Sequence, residues 1–497
     1  MNRLARMILL VAALSAVAAS VAGASPPFGQ TSAVTTGHTL ELTPRFLIGG
    51  QSFTEGTTPW LAIASGSATL PAGNSVEQWD QLAADTVVKA GTTQLEGFQY
   101  MAYVSGAVYN AVISIQGGYK SWGPKIKPAA AASANAAAIE AAYETLVHYF
   151  PVPRAAGSPD LDAAYTESLA AIANGSAKTN GIAVGRTAAQ HMMLLRTGDG
   201  LTLPIGSTSP LPVLAPAAGL WRLTPPAYLP PQTPWVASMT PYVLRGGSAL
   251  LPPPPPALSS SAWVTAFNEV KDLGSATSTT RTAAETNIAK FWTANVVLQY
   301  NEALRDFATS RALSLRKTAR LLAMVNIVAA DGGVATLSAK YHYRFWRPVT
   351  AIDPTSLKSG GDLYGVGPDP NDGNTATLEQ SGWRPLLVTP NHPEYPAAHG
   401  VVSSEMAEVF GTFLGSKQIN LTIHGFDPSG PPGNLNATQT FATTSDLRTQ
   451  IVNARVWGGV HYRCSGEAGV TLGHAVAKYD LRHAFTAVAK PAKRRHK

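Results

Sequence analysis

Cysteine is almost missing from this chain: 497 residues contain one, Cys464. No intrachain disulfide framework can form, so stability must come from packing. Charged residues make up only 13%, below the roughly 25% of an average globular protein. No alternating run of useful length marks a β-sheet protein, and β-branched runs are scarce beside abundant alanine, which favours helix. Past the N-terminus no stretch reaches the roughly 20 apolar residues that would span a bilayer. Even the net charge of +7 is empty of meaning for a surface. Arg3, Arg6 and the tail residues Lys490, Lys493, Arg494, Arg495 and Lys497 account for all of it. The body between them is balanced, so a general nucleic-acid or membrane-binding face is not implied. Cys464 reads as a buried inert thiol.

What is present begins with an export signal. Arg3 and Arg6 start it, residues 7–17 are apolar, and Ala22-Gly23-Ala24 offers a small-residue cleavage site. Residues 1–24 therefore read as a signal peptide for the general secretory route, there being no twin arginine. The mature chain is expected to be secreted, periplasmic or extracellular, with no stable membrane association. Residues 25–90, rich in Gly, Thr and Pro without a clear period, read as an extended N-terminal arm. Residues 91–258 form an N-terminal helical region and a Pro-rich linker. Three- and four-residue apolar spacing predicts helices over 94–115, 130–150, 160–173 and 180–196. The run Pro252 to Pro256 must be stiff polyproline, either a linker or a strap. Residues 259–489 form a second helical, anion-binding domain, with helices expected near 260–273, 282–292, 314–337, 399–414, 446–457 and 465–485. Residues 490–497 are a basic, solvated tail. The fold class is all-α: helical bundles, an extended arm and a Pro-rich connecting loop.

Three short blocks in the second domain carry the chemistry. The first runs from Lys340 to Arg347-Pro348, the second is Pro396-Ala397-Ala398-His399, and the third runs from Arg455 to His461. Lys340 and Arg347 are seven apart, so one continuous helix would place them on a shared face. A helix starting near His399 would offer free N–H groups to an anion. Gly458-Gly459 would break a helix and turn His461 back toward Arg455. Three cations neutralise an oxyanion, an arginine grips two of its oxygens, and two imidazoles supply a ligand or nucleophile and a proton carrier. Each block alone reads equally well as a solvated face, a structural histidine or a capped helix end. Their coincidence points to a site for a tetrahedral oxyanion. His191 and His342 lack a partner at metal-ligand spacing, which argues against zinc.

Together the blocks resemble the signature of the vanadium-dependent haloperoxidases and the wider type-2 phosphatidic acid phosphatase superfamily: Lys-x6-Arg-Pro, Pro-Ser-Gly-His and Ser-Arg-x5-His-x3-Asp. Lys340, Arg347, Pro348, Pro396, His399, Arg455 and His461 match. Phe345-Trp346-Arg347-Pro348, His392-Pro393-Glu394-Tyr395-Pro396, Phe267-Asn268-Glu269-Val270-Lys271 and Ala329-Ala330-Asp331 look like the bacterial haloperoxidase-like branch. The resemblance implies vanadate as cofactor, with phosphate competing. His461 would ligate the metal, and Lys340, Arg347, Arg455 and the backbone N–H of Ala398 would hold its oxygens. His399 would act as acid–base. Hydrogen peroxide, a halide and a small organic substrate would be the partners; oligomeric state stays open. His392, and Trp346 within the first block, are candidates for a halide or substrate contact. At that offset before the acid–base histidine the family carries His in algal bromoperoxidases and Phe in fungal chloroperoxidases, so the resemblance implies bromide or iodide for a chain with His392.

The same residues would serve an acid phosphatase working through a phosphohistidine at His461. They would also fit a non-catalytic anion-binding homologue. Ala397 and Ala454 replace family serines, Ala398 a glycine, and Ser465 the aspartate. Each lost hydrogen bond to a charged group costs on the order of 1.5–3 kcal/mol. Glu467, close in sequence, is the candidate to supply the missing carboxylate.

Overall fold

The computed structural model describes residues 45–48, 51–54, 70–201, 217–356, 371–427 and 436–488. The signal peptide, most of the arm and the basic tail lie outside them.

The described chain is mostly helical. A short antiparallel hairpin comes first, β1 (Arg45–Ile48) with β2 (Gln51–Thr54), Arg45 opposite Thr54. Next is α1 (Ser75–Lys89), inside the stretch read from sequence as an extended arm. Val76, Trp79, Leu82, Ala83 and Val87 are buried at helical spacing, and Asn74 with Glu77 closes a capping box. The composition of residues 25–90 hid a periodic segment at its end.

Helices α2 (Gln94–Gln116), α3 (Ala134–Tyr149), α4 (Leu161–Ala170) and α5 (Ser176–Leu195) follow where their spacing places them. A 3-10 turn spans Pro234–Ser238. Ser260 caps α6 (Ser261–Leu273), and a Thr282–Glu285 capping box starts α7 (Ala283–Phe291). Sequence reading passed over α8 (Val296–Ser310). Its Val297, Tyr300, Leu304 and Phe307 are buried along one face.

The central element is α9 (Leu315–Tyr343), 29 residues long. By length and apolarity it could cross a membrane, but 94% of its apolar window is buried by the rest of the chain. It packs chiefly against α2 on one side and α11 (Ala398–Leu414) on another. The helix stops at Tyr343, with Arg344 at φ +48°. A one-turn helix α10 (Pro348–Ile352) then begins with Pro348 in its first position. Lys340 and Arg347 therefore do not lie on one continuous helix.

Two strands also escaped the sequence reading: β3 (Gln418–Gly425) and β4 (Ala437–Thr443), paired antiparallel. In β3, Ile419, Leu421 and Ile423 alternate inward with outward polar residues. The alternation was in the sequence, but brief. Last come α12 (Thr444–Trp457) and α13 (Arg463–His483). Helix α11 packs closely on α13, where Gly469 and Gly473 leave room for the α11 backbone. The main apolar core draws on α1 to α3 as well as α8, α9 and α11 to α13.

Candidate functional site

Backbone hydrogen bonds stitch the three blocks together. Glu394 N–H donates to Phe345 O at 2.9 Å, tying the second block to the first. Ala397 N–H donates to Ser465 O at 3.1 Å, tying it to the third. The Pro-rich loop lies over this junction: Trp221 N–H donates to Arg344 O at 2.6 Å and Trp346 N–H to Gly219 O at 3.0 Å. Carbonyls of Pro252 and Pro253 accept the hydroxyls of Tyr343 and Tyr395. The proline run therefore acts as a strap.

A glycine turn delivers His461. Helix α12 ends at Trp457, and Gly459 sits at φ +73°. A Cβ there would fall 2.3 Å from Gly274 O and 2.9 Å from Pro385 Cα. Only glycine satisfies both the backbone angle and the space.

The blocks bring Lys340, Arg347, Arg455 and His461 together, all buried. Lys340 Nζ donates to Pro393 O at 2.8 Å and Glu394 O at 2.9 Å. Arg347 Nε donates to His392 O at 3.0 Å, and Nη1 to Val460 O at 2.8 Å. The same Nη1 lies 3.2 Å from His461 Nε2, and Nη2 lies 3.0 Å from His392 Nδ1. Arg455 is 4% exposed, and its Nε has no partner.

Glu394 is the residue that the block reading missed. It was visible only as one letter in the His392–Pro396 stretch. Its Oε1 accepts from His461 Nδ1 at 2.8 Å and from Tyr462 N–H at 3.0 Å. Glu467, the sequence candidate for this carboxylate, is exposed. Ser465 instead points its hydroxyl at Glu394 O, 3.3 Å away. The carboxylate thus reaches the histidine from the second block, a long way off in sequence.

Burial sets the electrostatics, and the cations reinforce it. Lys340 is held well below the usual lysine range by burial, then by Arg347 and Arg455, with Glu394 opposing. Burial lowers Arg347 to about 10 and, with Arg347 adding, Arg455 to about 9. Both stay charged at neutral pH. His461 lies well below the usual histidine range because of burial, then Arg347, Lys340 and Arg455. Burial raises Glu394 to about 7 against the pull of Arg347 and Lys340.

A cleft opens beside His461, with about 620 Å³ of empty space that includes open solvent; His392, Ala398, His399, His461, Gln94 and Gln232 are among the residues lining it, and Lys340, Arg347 and Arg455 lie behind that lining. Ala398 is the first residue of α11, and the N-cap Ala397 has no side-chain acceptor for the helix's first N–H groups. His399, in the first turn, is lowered by burial and then by Arg455, Lys340 and Arg347, and bonds the Trp292 backbone. Trp346 is not brought to the cavity. It stacks on Trp263 at 5.9 Å in a separate aromatic cluster, its indole Nε1 without a partner. Cys464 is partly exposed, and burial raises its thiol to about 12. Among the described residues no group of His, Cys, Asp and Glu forms a chelating metal site.

An oxyanion fits the residues present. Three buried cations gather here, two of them beside the carboxylate of Glu394; the Arg455 Nε lacks an acceptor, and the N-cap of α11 supplies none from its side chain. A tetrahedral anion supplies both the charge and the acceptors.

Comparison with known proteins agrees with the fold. It is the helical fold of the vanadium haloperoxidases. The chain is similar over 85% of its length to the first bacterial vanadium-dependent iodoperoxidase structure and covers all of that chain, with TM-score 0.65 and 21% identity. It is similar over 84% to a holo-type bacterial vanadium-dependent chloroperoxidase and covers 99% of that chain, with TM-score 0.62 and 15% identity. Residues 320–490, which hold all three blocks, match the family model of the VCPO second helical-bundle domain. Vanadium chloroperoxidase of Curvularia inaequalis is 21% identical over 180 residues; the match spans 30% of this chain and 28% of that protein.

Proposed function

We propose that this chain is an exported vanadium-dependent haloperoxidase that oxidises bromide or iodide with hydrogen peroxide. One observation carries the reading: Lys340, Arg347 and Arg455 lie buried near a histidine they help keep neutral, Arg347 Nη1 is 3.2 Å from its Nε2, and one carboxylate holds its Nδ1. A vanadate held there supplies a Lewis acid that polarises peroxide for attack by halide.

The chain's own residues have distinct tasks. His461 offers Nε2 as ligand, oriented through its Nδ1–H. Lys340, Arg347 and Arg455 neutralise the anion's oxygens, and the Ala398 N–H adds a neutral donor. His399, neutral at rest and facing the cavity, takes and returns a proton. His392 lines the same cavity and contacts Arg347 Nη2, beside the path of an entering halide. The serine-to-alanine changes at Ala397 and Ala454 remove hydrogen bonds but no charge. Residues 1–24 direct export, with cleavage after Ala24.

The test is one set of assays on the mature protein, with and without orthovanadate. Expected is peroxide-dependent oxidation of bromide or iodide that needs vanadate and is inhibited by phosphate. Phosphate-ester cleavage without vanadate, lost in His461→Ala, would assign the site to a phosphatase instead. No halide oxidation by vanadate-loaded protein over about pH 5–8, which spans ordinary histidine titration, would contradict the proposal.

A further inference from the structure

We propose that Glu394 is a positioning residue that makes this site discriminate between oxyanions: it favours one that accepts a nitrogen ligand over one held by charge alone. The inference rests on the reading of His461 as that ligand.

Glu394 addresses both halves of the cradle at once. Its side chain takes the His461 Nδ1–H at 2.8 Å, and its backbone carbonyl takes the Lys340 ammonium at 2.9 Å. The carboxyl group is fully buried, and Oε2 has no partner. A carboxylate kept for stability would spread both oxygens over several donors, because an unsatisfied buried oxygen is costly. Here the only bonded oxygen serves His461 and the peptide N–H that follows it.

That bond has two consequences for an anion, and they oppose each other. It fixes the imidazole proton on Nδ1 and makes Nε2 a better donor, as a carboxylate behind a metal-bound histidine does. The carboxylate also cancels one positive charge in a cradle of three cations, which weakens attraction for any anion. Vanadium(V) expands its coordination to take the nitrogen, so vanadate gains from the first effect. Phosphorus in inorganic phosphate does not, so phosphate feels only the second.

Glu394→Gln separates the two, because it keeps the shape and an acceptor oxygen while removing the charge. Orthovanadate and inorganic phosphate are titrated separately into wild type and E394Q by calorimetry. A working value of about pH 8 keeps carboxyl groups ionised despite burial. In E394Q, vanadate affinity is expected to fall roughly 10- to 100-fold, while phosphate affinity holds or rises. Phosphate binding in the same variant also reports an intact cradle. Glu394→Asp, which keeps the carboxylate, is expected to have an affinity ratio nearer wild type than E394Q. Parallel change of both affinities in E394Q, or an aspartate variant no different from it, overturns the inference alone. Wild type that binds phosphate but not vanadate overturns the reading of His461 as ligand, and this inference with it.

Discussion

Arg347 Nη1 lies 3.2 Å from His461 Nε2, and a guanidinium has only hydrogens to offer. The imidazole must therefore present a lone pair at Nε2 and carry its proton on Nδ1. Glu394 Oε1, 2.8 Å from Nδ1, accepts that proton. A neutral histidine thus sits among three cations, as burial and those cations dictate. The arrangement is stable as a host for negative charge.

Arg455 should behave unlike an ordinary arginine. An isolated buried charge costs several kcal/mol, and its Nε is unpartnered. Arg455→Met is expected to raise the melting temperature in anion-free buffer. The same change should weaken phosphate binding about 10- to 100-fold, the worth of a hydrogen bond to a charged group. A lower melting temperature with unchanged affinity would show that Arg455 serves packing.

Lys340 gives the site a pH dependence of definite sign. Burial, then Arg347 and Arg455, hold its ammonium well below the usual 10.5. An anion in the cradle favours the charged form, so binding takes up a proton once the free site has lost it. Sulfate is the clean probe, since its own charge is constant. Its affinity should fall as pH rises through the depressed lysine range, and Lys340→Ala should make that slope shallower, leaving the part that Glu394 contributes as it ionises at about 7. Calorimetry in buffers of different ionisation enthalpy reads the proton directly.

Much of this was legible in the sequence, for reasons that can be named. Lys340, Arg347, His399, Arg455 and His461 stand in compact blocks whose spacing is local. The helix over 261–273 carries a strong apolar period and a clear serine cap, and the one over 94–116 a long run of residues that end up buried. Glu394 was hidden because its partner is His461, and no local pattern joins two positions so far apart. The face shared by Lys340 and Arg347 was misjudged because Arg344 ends α9 in a left-handed conformation, which an arginine does not advertise. Trp346 sits one residue from Arg347, yet its ring turns into the cluster around Trp263.

The turn before His461 should tolerate no side chain. Gly459→Ala forces a Cβ against Gly274 O and the Pro385 backbone at a positive φ. A loss of about 1–3 kcal/mol is expected from the backbone conformation, with more from the clash. Because the turn aims His461, anion affinity should fall as well. Unfolding curves with and without phosphate measure both; a neutral effect would mean the turn can relax.

A second buried carboxyl makes an independent check on the electrostatics. Glu405 on α11 is buried, and neither of its oxygens has a partner. Burial, with Asp331 adding, raises it well above 4.5. Its folded-state pKa exceeds its unfolded one, so its stabilising contribution is full below 4.5 and is lost as pH rises. Glu405→Gln should therefore gain stability over wild type as pH goes from about 4 to 8. Melting temperatures of the two proteins across that range should diverge; parallel curves would contradict it.

The central claim is that His461 and the three cations hold one oxyanion, and titrating orthovanadate into wild type and His461→Ala tests it most directly. Wild type is expected to bind at about micromolar Kd, near −8 kcal/mol. His461→Ala should bind at least about 100-fold more weakly, a loss of roughly 2.7 kcal/mol. No binding by wild type, or equal binding by both, would contradict the account.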